Sequence, residues 1–598
     1  MKLDGLTIGK RRGVAGLIAT RTSTPSKRSP WKSHWLVSAR RGAGFGRSRI
    51  APPASNISNA GAEGMSGNKI KRIDARALKA QLHDGGELTL LDAREELPFG
   101  RRHLLMASCV PLSRLELLVD DLVPRRDTRV IWCDDGEGLA ARAAERMFVL
   151  GYHDVASLDG GIAAWEAAGF RIYSGVHVPS KAFAEVVEHE AGTPWISVQD
   201  LQVLIDRKAN IAIYDSRSYE EYHNNSIPTA ISVPGAELVY RFVDLTPSPD
   251  TTVIVNCGGR TRSIIGAQSL INAGVRNKVV SLKDGTMAWH LAGLEVVHGA
   301  TRKPPEVSAH GLQSAGEAAA RVAARCGIAR IDKCTLESWR AEAAQRSLYV
   351  LDVRSPEEYE AGHLRGARSA PGGQLVQETD SHMATWGARV VLVDDNGIRA
   401  TMTASWLKQM GWPDIAVLTA GPADGDWETG PYTPRVLGLE ATSAPQIDAM
   451  DLRDRLAAGV VTVIDLNLST RYGLGHIPGA WFAIRSRLGV ALPMLPSHQA
   501  IVLTSPDGAL AALAAVELQA VASAPVMTLV GGTQAWARAG LPLELGPTRM
   551  TDQPDDVFLS PRERGQNREE AMREYLTWEI NLAIDMAKDD DHRFRITT

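Results

Sequence analysis

Four times along this chain a short apolar run ends in aspartate, and a second apolar run follows about forty residues later. The first runs are LTLLDAR at Asp92, IAIYDSR at Asp215, LYVLDVR at Asp352 and VTVIDLN at Asp465. The second are VIWC to Cys133, VIVNC to Cys257, VVLV to Val393 and IVLTS to Ser505, which end 41, 42, 41 and 40 residues after their aspartates. Apolar runs of this length between turn signals read as buried strands, and the segments of helical period that follow them as helices. Within each copy a loop varies on one theme, as FGRRHLLMA (99–107), YHNNSIPTA (222–230), AGHLRGA (361–367) and LGHIPGA (474–480). A glycine-rich turn leading to a tryptophan closes the first, second and fourth copies at Trp165, Trp289 and Trp536. The third departs from this with TAGPADGDW, ending at Trp427.

Strands alternating with helices predict an α/β fold. The expectation is four tandem units, each a mainly parallel sheet flanked by helices, followed by a C-terminal helical tail. The units fall at 69–172, 193–298, 330–432 and 445–546, with linkers near 173–193, 299–330 and 433–445. The second linker holds an alanine-rich helix candidate at 314–326. In the tail, 549–598, Ala571, Tyr575, Trp578, Leu582 and Met586 recur at helical spacing. Such stripes are usually core faces, so the expectation is a helix docked on the last domain, with a partner-binding helix as the alternative.

Charge is unevenly spread. Residues 1–64 carry 12 Lys/Arg and two acids, a charge of +10, whereas the whole chain is −3 and the remainder therefore −13. An acidic body argues against nucleic-acid binding. The basic extension, 1–68, is expected to be disordered: either an organelle transit peptide or a stretch upstream of a start at Met65. The expected location is cytoplasmic, or an organelle matrix if the extension is a transit peptide. No apolar run of about 18 residues predicts a membrane span. Five cysteines in 598 residues make no disulfide framework and fit a reducing compartment. Cys326 and Cys334 read as packing or incidental residues. No Cys/His cluster suggests a metal, and no cofactor is expected.

The stretch that carries chemistry is Cys257-Gly258-Gly259-Arg260-Thr261-Arg262-Ser263. A cysteine between a strand and a helix meets the positive end of that helix, and two glycines let the amides curl into an anion nest. With Arg260 and Arg262 nearby, these features are expected to lower a thiol pKa that is otherwise near 8.5. The loop resembles the active-site loop of rhodanese-type sulfurtransferases, Cys-x4-Arg before a helix. The Asp-x-Arg and Gly-Gly-x-x-x-Trp elements match the same family, and the resemblance covers about 70 to 545.

That resemblance implies a sulfurtransferase in which Cys257 takes sulfane sulfur from a donor such as thiosulfate, becomes a persulfide, and passes the sulfur to cyanide or a thiol. Gly258 to Ser263 would bind substrate, with Arg260 and Arg262 attracting an anionic donor. The implied partners are small sulfur donors and acceptors, with a protein sulfur acceptor as a further one. The alternative is a sulfur-relay or binding scaffold without small-molecule turnover. A phosphatase would need a longer loop than the second copy has. Asp215 and Arg217 read as a strand-end ion pair that orients the loop. Cys133 is a candidate second site, although Asp134, Asp135 and Glu137 would raise its pKa. The third copy places Val393, and the fourth Ser505, at the matching position. Neither can hold a persulfide, so these two copies read as structural or as binding modules.

Overall fold

The computed structural model describes residues 70–598, except 247, 422–425, 497–498 and 598. The basic extension, 1–68, lies outside the described residues. Each of the four copies builds a main sheet with the predicted central strands, and the third adds a two-stranded antiparallel ribbon, His363–Leu364 with Trp427–Glu428. In the second copy the order runs Trp195–Ile196, Val279–Leu282, Thr252–Asn256, Ile211–Asp215, Ile231–Ser232, all parallel. The other copies repeat this five-strand order. The central strands are buried on both faces, which is why they read as unbroken apolar runs and not as alternating ones.

In the first three copies the strand-end aspartate is fixed in a buried pair with the arginine two residues on. Arg217 Nε and Nη2 donate to Asp215 at 2.8 and 2.7 Å. Arg94 pairs with Asp92, and Arg354 with Asp352, in the same way. Arg217 Nη2 also donates to the Asn225 carbonyl, so the pair clamps the loop that follows. The fourth copy has Asn467 in place of arginine. Its Asp465 is wholly buried and pushed up to about 7 by desolvation. Trp289 is buried and donates to the Glu295 carbonyl at 2.9 Å, anchoring the end of its unit.

Units are knitted together at two levels. Strand Thr385–Trp386 of the third copy adds antiparallel to Leu88–Asp92 of the first. The linker helix is longer than expected, Ala309–Cys326, and starts where Ser308 caps the Gly311 amide at 3.0 Å. Val178–Ala191, in the linker after the first copy, is a second helix; it packs against the helix Thr261–Ala273 of the second copy.

The tail departs from expectation. Its start pairs with the fourth copy, as in Arg487 to Asp555 at 2.8 Å. Its helix, Arg568–Met586, instead lies on the linker helix Val178–Ala191 and over the second copy. Met572 and Leu576 pack on Met287. The predicted apolar stripe is thus a core face, but it covers a different unit. After this helix, Lys79 of the first copy donates to Asp591 at 2.6 Å beside His83. The Lys79 ammonium also meets Asp590, so this cluster of two carboxylates and an imidazole is closed by a lysine. Among the described residues no helix is long and apolar enough to cross a membrane.

Candidate active site

The four strand ends can be superposed through their hydrogen bonds. The residue after each strand-end aspartate donates its amide to one carbonyl of the neighbouring strand: Ala93 to Cys133, Ser216 to Asn256, Val353 to Val393 and Leu466 to Thr504. The partner of Cys133 is therefore Asn256, and Cys257 corresponds to Asp134, Asp394 and Ser505. A second set of bonds agrees. The amides of Ile162, Thr286 and Thr533, in the tryptophan turns, bond the carbonyls of Asp134, Cys257 and Ser505 at 2.9 Å.

This corrects two expectations. Cys133 is the last residue of its strand, points into the core with no exposed surface, and its thiol is pushed well up by burial and by Asp92. It is one residue short of the position that Cys257 holds in the second copy. The third copy likewise presents Asp394 there and not Val393, which is core.

All four loops form one cradle. Asp134 accepts from the Gly136 and Ala140 amides at 3.0 and 2.9 Å. Asp394 accepts from the Gly397 amide and from the Ala400 amide at 3.1 Å. Ser505 Oγ accepts from Gly508 and Ala511 at 3.2 and 3.3 Å. In the second copy the residue six positions on is Ser263, whose amide and hydroxyl favour the charged form of the Cys257 sulfur. Ser263 is the third residue of the helix Thr261–Ala273, so its amide has no partner within the helix and lies in the turn that faces the sulfur. The thiol also donates to Ser263 Oγ at 3.4 Å, which donates to the Arg260 carbonyl at 2.8 Å. The Gly285 turn passes over this loop so closely that a Cβ at Gly285 would lie 2.6 Å from the Gly259 carbonyl oxygen, and its φ is +54°. Only glycine fits there.

The loop arginines do not stand free. Arg260 turns away from the sulfur into three carboxylates: Glu185 at 2.7 and 2.8 Å, Glu188, and Asp284 at 3.0 Å. It joins the loop to the helix Val178–Ala191, and its charge is already matched by those carboxylates. Arg262 forks onto Glu221 at 2.6 and 2.8 Å and reaches Gln374 of the third copy at 2.8 Å. Nor is the thiol pKa lowered. Cys257 is 2% exposed, and burial pushes its pKa up, with Arg262 and Ser263 only partly opposing this.

The burial comes from segments that the loop sequence does not announce. Cys257 opens on a cavity of about 120 Å³ lined also by Lys181, Gln377, Arg562, Tyr575 and Glu579. That is room for several waters or one small oxyanion. Lys181 Nζ donates to the Val176 carbonyl at 2.7 Å and lies over the rings of Tyr575 and Trp578. Glu579 accepts from Thr261 Oγ1 at 2.8 Å, while its Oε2 is buried without a partner among the described residues. Desolvation holds this carboxyl above its ordinary range, with Lys181 and Thr261 opposing. Tyr575 and Trp578 belong to the stripe visible in the sequence; Lys181, Arg562 and Glu579 carried no signal there. A strand-turn-helix loop that places a sulfur at a helix N-terminus beside a small polar cavity can admit a small electrophile to that sulfur.

The model of the rhodanese-like domain matches residues 74–168, 197–292, 336–423 and 448–539. The crystal structure of a thiosulfate sulfurtransferase from Pseudomonas aeruginosa is 47% identical, covers 88% of this chain and 100% of its own, and superposes with a TM-score of 0.86. An HTH-type transcriptional regulator of Mycobacterium tuberculosis is 34% identical over 110 residues, 18% of this chain; the chain spans 48% of that relative's length. The uncharacterized protein YqhL of Bacillus subtilis is 33% identical over 87 residues, 14% of this chain and 68% of its own length.

Proposed function

This chain belongs to the rhodanese-like family, and from that premise we propose that it is a sulfurtransferase whose working sulfur is Cys257. The observation that carries the reading is the shared cradle. In the first and third copies the same amides hold a carboxylate, so the backbone there is built to bind an anion. At the matching position of the second copy stands the sulfur of Cys257. The thiolate of Cys257 attacks the outer sulfur of a donor such as thiosulfate. A new S–S bond forms, the donor's S–S bond breaks, and sulfite leaves with the electron pair. The persulfide anion rests against the Gly258–Ser263 amides, which stabilise charge without reorganising. Cyanide or a thiolate then attacks the outer sulfur and releases Cys257 as thiolate. Two half-reactions through a covalent intermediate give ping-pong kinetics. The size of the cavity favours a small acceptor while the tail is docked.

The test is the intact mass after exposure to thiosulfate. The wild type gains one sulfur, mapped to Cys257, and Cys257→Ser gains none and has no turnover. Its loss is not rescued by more donor, since it removes the nucleophile and not a binding contact. A wild type without adduct, or an adduct that persists in Cys257→Ser, overturns the reading.

A further inference from the structure

A donor such as thiosulfate is an anion, and the two loop arginines that should greet it are already engaged by carboxylates. We propose that Arg562, in the C-terminal tail, is the anion-recognition residue of the Cys257 cavity, holding the charged end of an anionic sulfur donor over the reactive loop. The proposal deepens the sulfurtransferase reading and rests on it for the identity of the donor.

Three observations support it. First, Arg562 lies directly on the loop: a Cβ at Gly258 would come within 2.5 Å of its Nη2, so the glycine after the cysteine is what lets this guanidinium approach. Second, the charge of Arg562 is poorly matched. Among the described residues one carboxylate, Glu221, is within 4.0 Å, at 3.9 Å, and it is already forked by Arg262. Burial, then the nearby Arg217, and Arg262 as well, push the Arg562 pKa down, with Glu221 opposing them. A cation held among like charges in a partly dry cavity is relieved by an incoming anion. Third, the cavity's one acid, Glu579, is itself bonded to Thr261 Oγ1. Glu579 is held toward its neutral form by desolvation. Arg562 is thus positioned to do what Arg260, sealed against Glu185, Glu188 and Asp284, does not.

The experiment compares alkylation of Cys257 in the full-length protein by iodoacetate, an anion, and iodoacetamide, its neutral counterpart, followed at the Cys257 peptide by mass spectrometry. Arg562→Ala and Arg562→Gln are expected to lower the iodoacetate-to-iodoacetamide rate ratio roughly tenfold, with the iodoacetamide rate little changed, and Arg562→Lys to restore most of the ratio. The same Ala variant raises the thiosulfate concentration for half-maximal persulfide formation about tenfold and leaves the saturating rate nearly unchanged. An undocked tail would instead speed both reagents together; an unchanged ratio, with or without such a rise, overturns the proposal. The two hypotheses fail separately. If the wild type forms no persulfide, the sulfurtransferase reading falls while the alkylation ratio still decides Arg562. If persulfide forms with equal donor dependence in wild type and Arg562→Ala, only Arg562 falls.

Discussion

Replacing Arg260 by alanine separates a structural arginine from a substrate-binding one. Its guanidinium is 3% exposed and meets Glu185, also 3% exposed, in a two-pronged pair, with Glu188 and Asp284 on the remaining nitrogens. Removing one partner of a buried pair costs about 3–5 kcal/mol, because the other charge stays behind without compensation. Glu185 gives this cost a pH signature. Burial already pushes its carboxyl up to about 7, even with Arg260 opposing. A folded-state pKa above the unfolded one means the folded protein holds an extra proton, so this group's contribution to stability falls as pH rises from about 4.5 through 7. Without Arg260 the carboxyl rises further and can escape the penalty at pH 6 by staying protonated, but less so at pH 8. A chain of four units need not unfold in one step, so the readout is local: hydrogen exchange of Val178–Ala191. Arg260→Ala should lower its protection on the order of a hundredfold or more at pH 8 and distinctly less at pH 6. Unchanged protection together with a raised KM for thiosulfate would refute the reasoning and return Arg260 to the substrate.

Cys133→Ala should leave persulfide formation and turnover intact and cost about 1 kcal/mol of stability, as a small deletion in a packed core; loss of turnover in a folded variant would make the first copy a station in the transfer. Asp465 has no arginine partner and is pushed up to about 7, so the fourth copy should lose stability as pH rises from about 4 to 7. Asp465→Asn should flatten that slope and raise the melting temperature at pH 8, and an unaltered slope would show that the carboxyl is not the cause.

The repeat, the strands and the glycine-rich loop that carries Cys257 are legible in the sequence, because buried parallel strands and glycine turns leave strong local patterns. The copies were misaligned by one residue because the apolar run of the first copy ends in a cysteine. Trp132-Cys133 looks like Asn256-Cys257 until the Ala93 and Ser216 hydrogen bonds set the register. Counted by position in the cradle, the first three copies share a spacing of 42 from the aspartate, and the fourth has 40. The arginines misled for a different reason. A loop motif shows that positive charge is present, whereas its availability depends on carboxylates 72 and 75 residues away, on the helix Val178–Ala191. The tail stripe predicted a buried face correctly but held no information about its partner, since any apolar surface satisfies an amphipathic helix.

The bond between Thr261 and Glu579 joins residues 318 positions apart. During synthesis the second unit can fold and expose Cys257 long before the segment that encloses it exists, and two further units must be translated first. Until then the wall that Phe558, Ser560, Arg562, Tyr575 and Glu579 supply is missing from the cavity. A stop codon or frameshift in the fourth repeat therefore acts on Cys257 at a distance: every strand of the second sheet would remain, the thiol would be uncovered, and the missing wall would include Arg562. The molecule's own completion is a precondition for enclosing its sulfur.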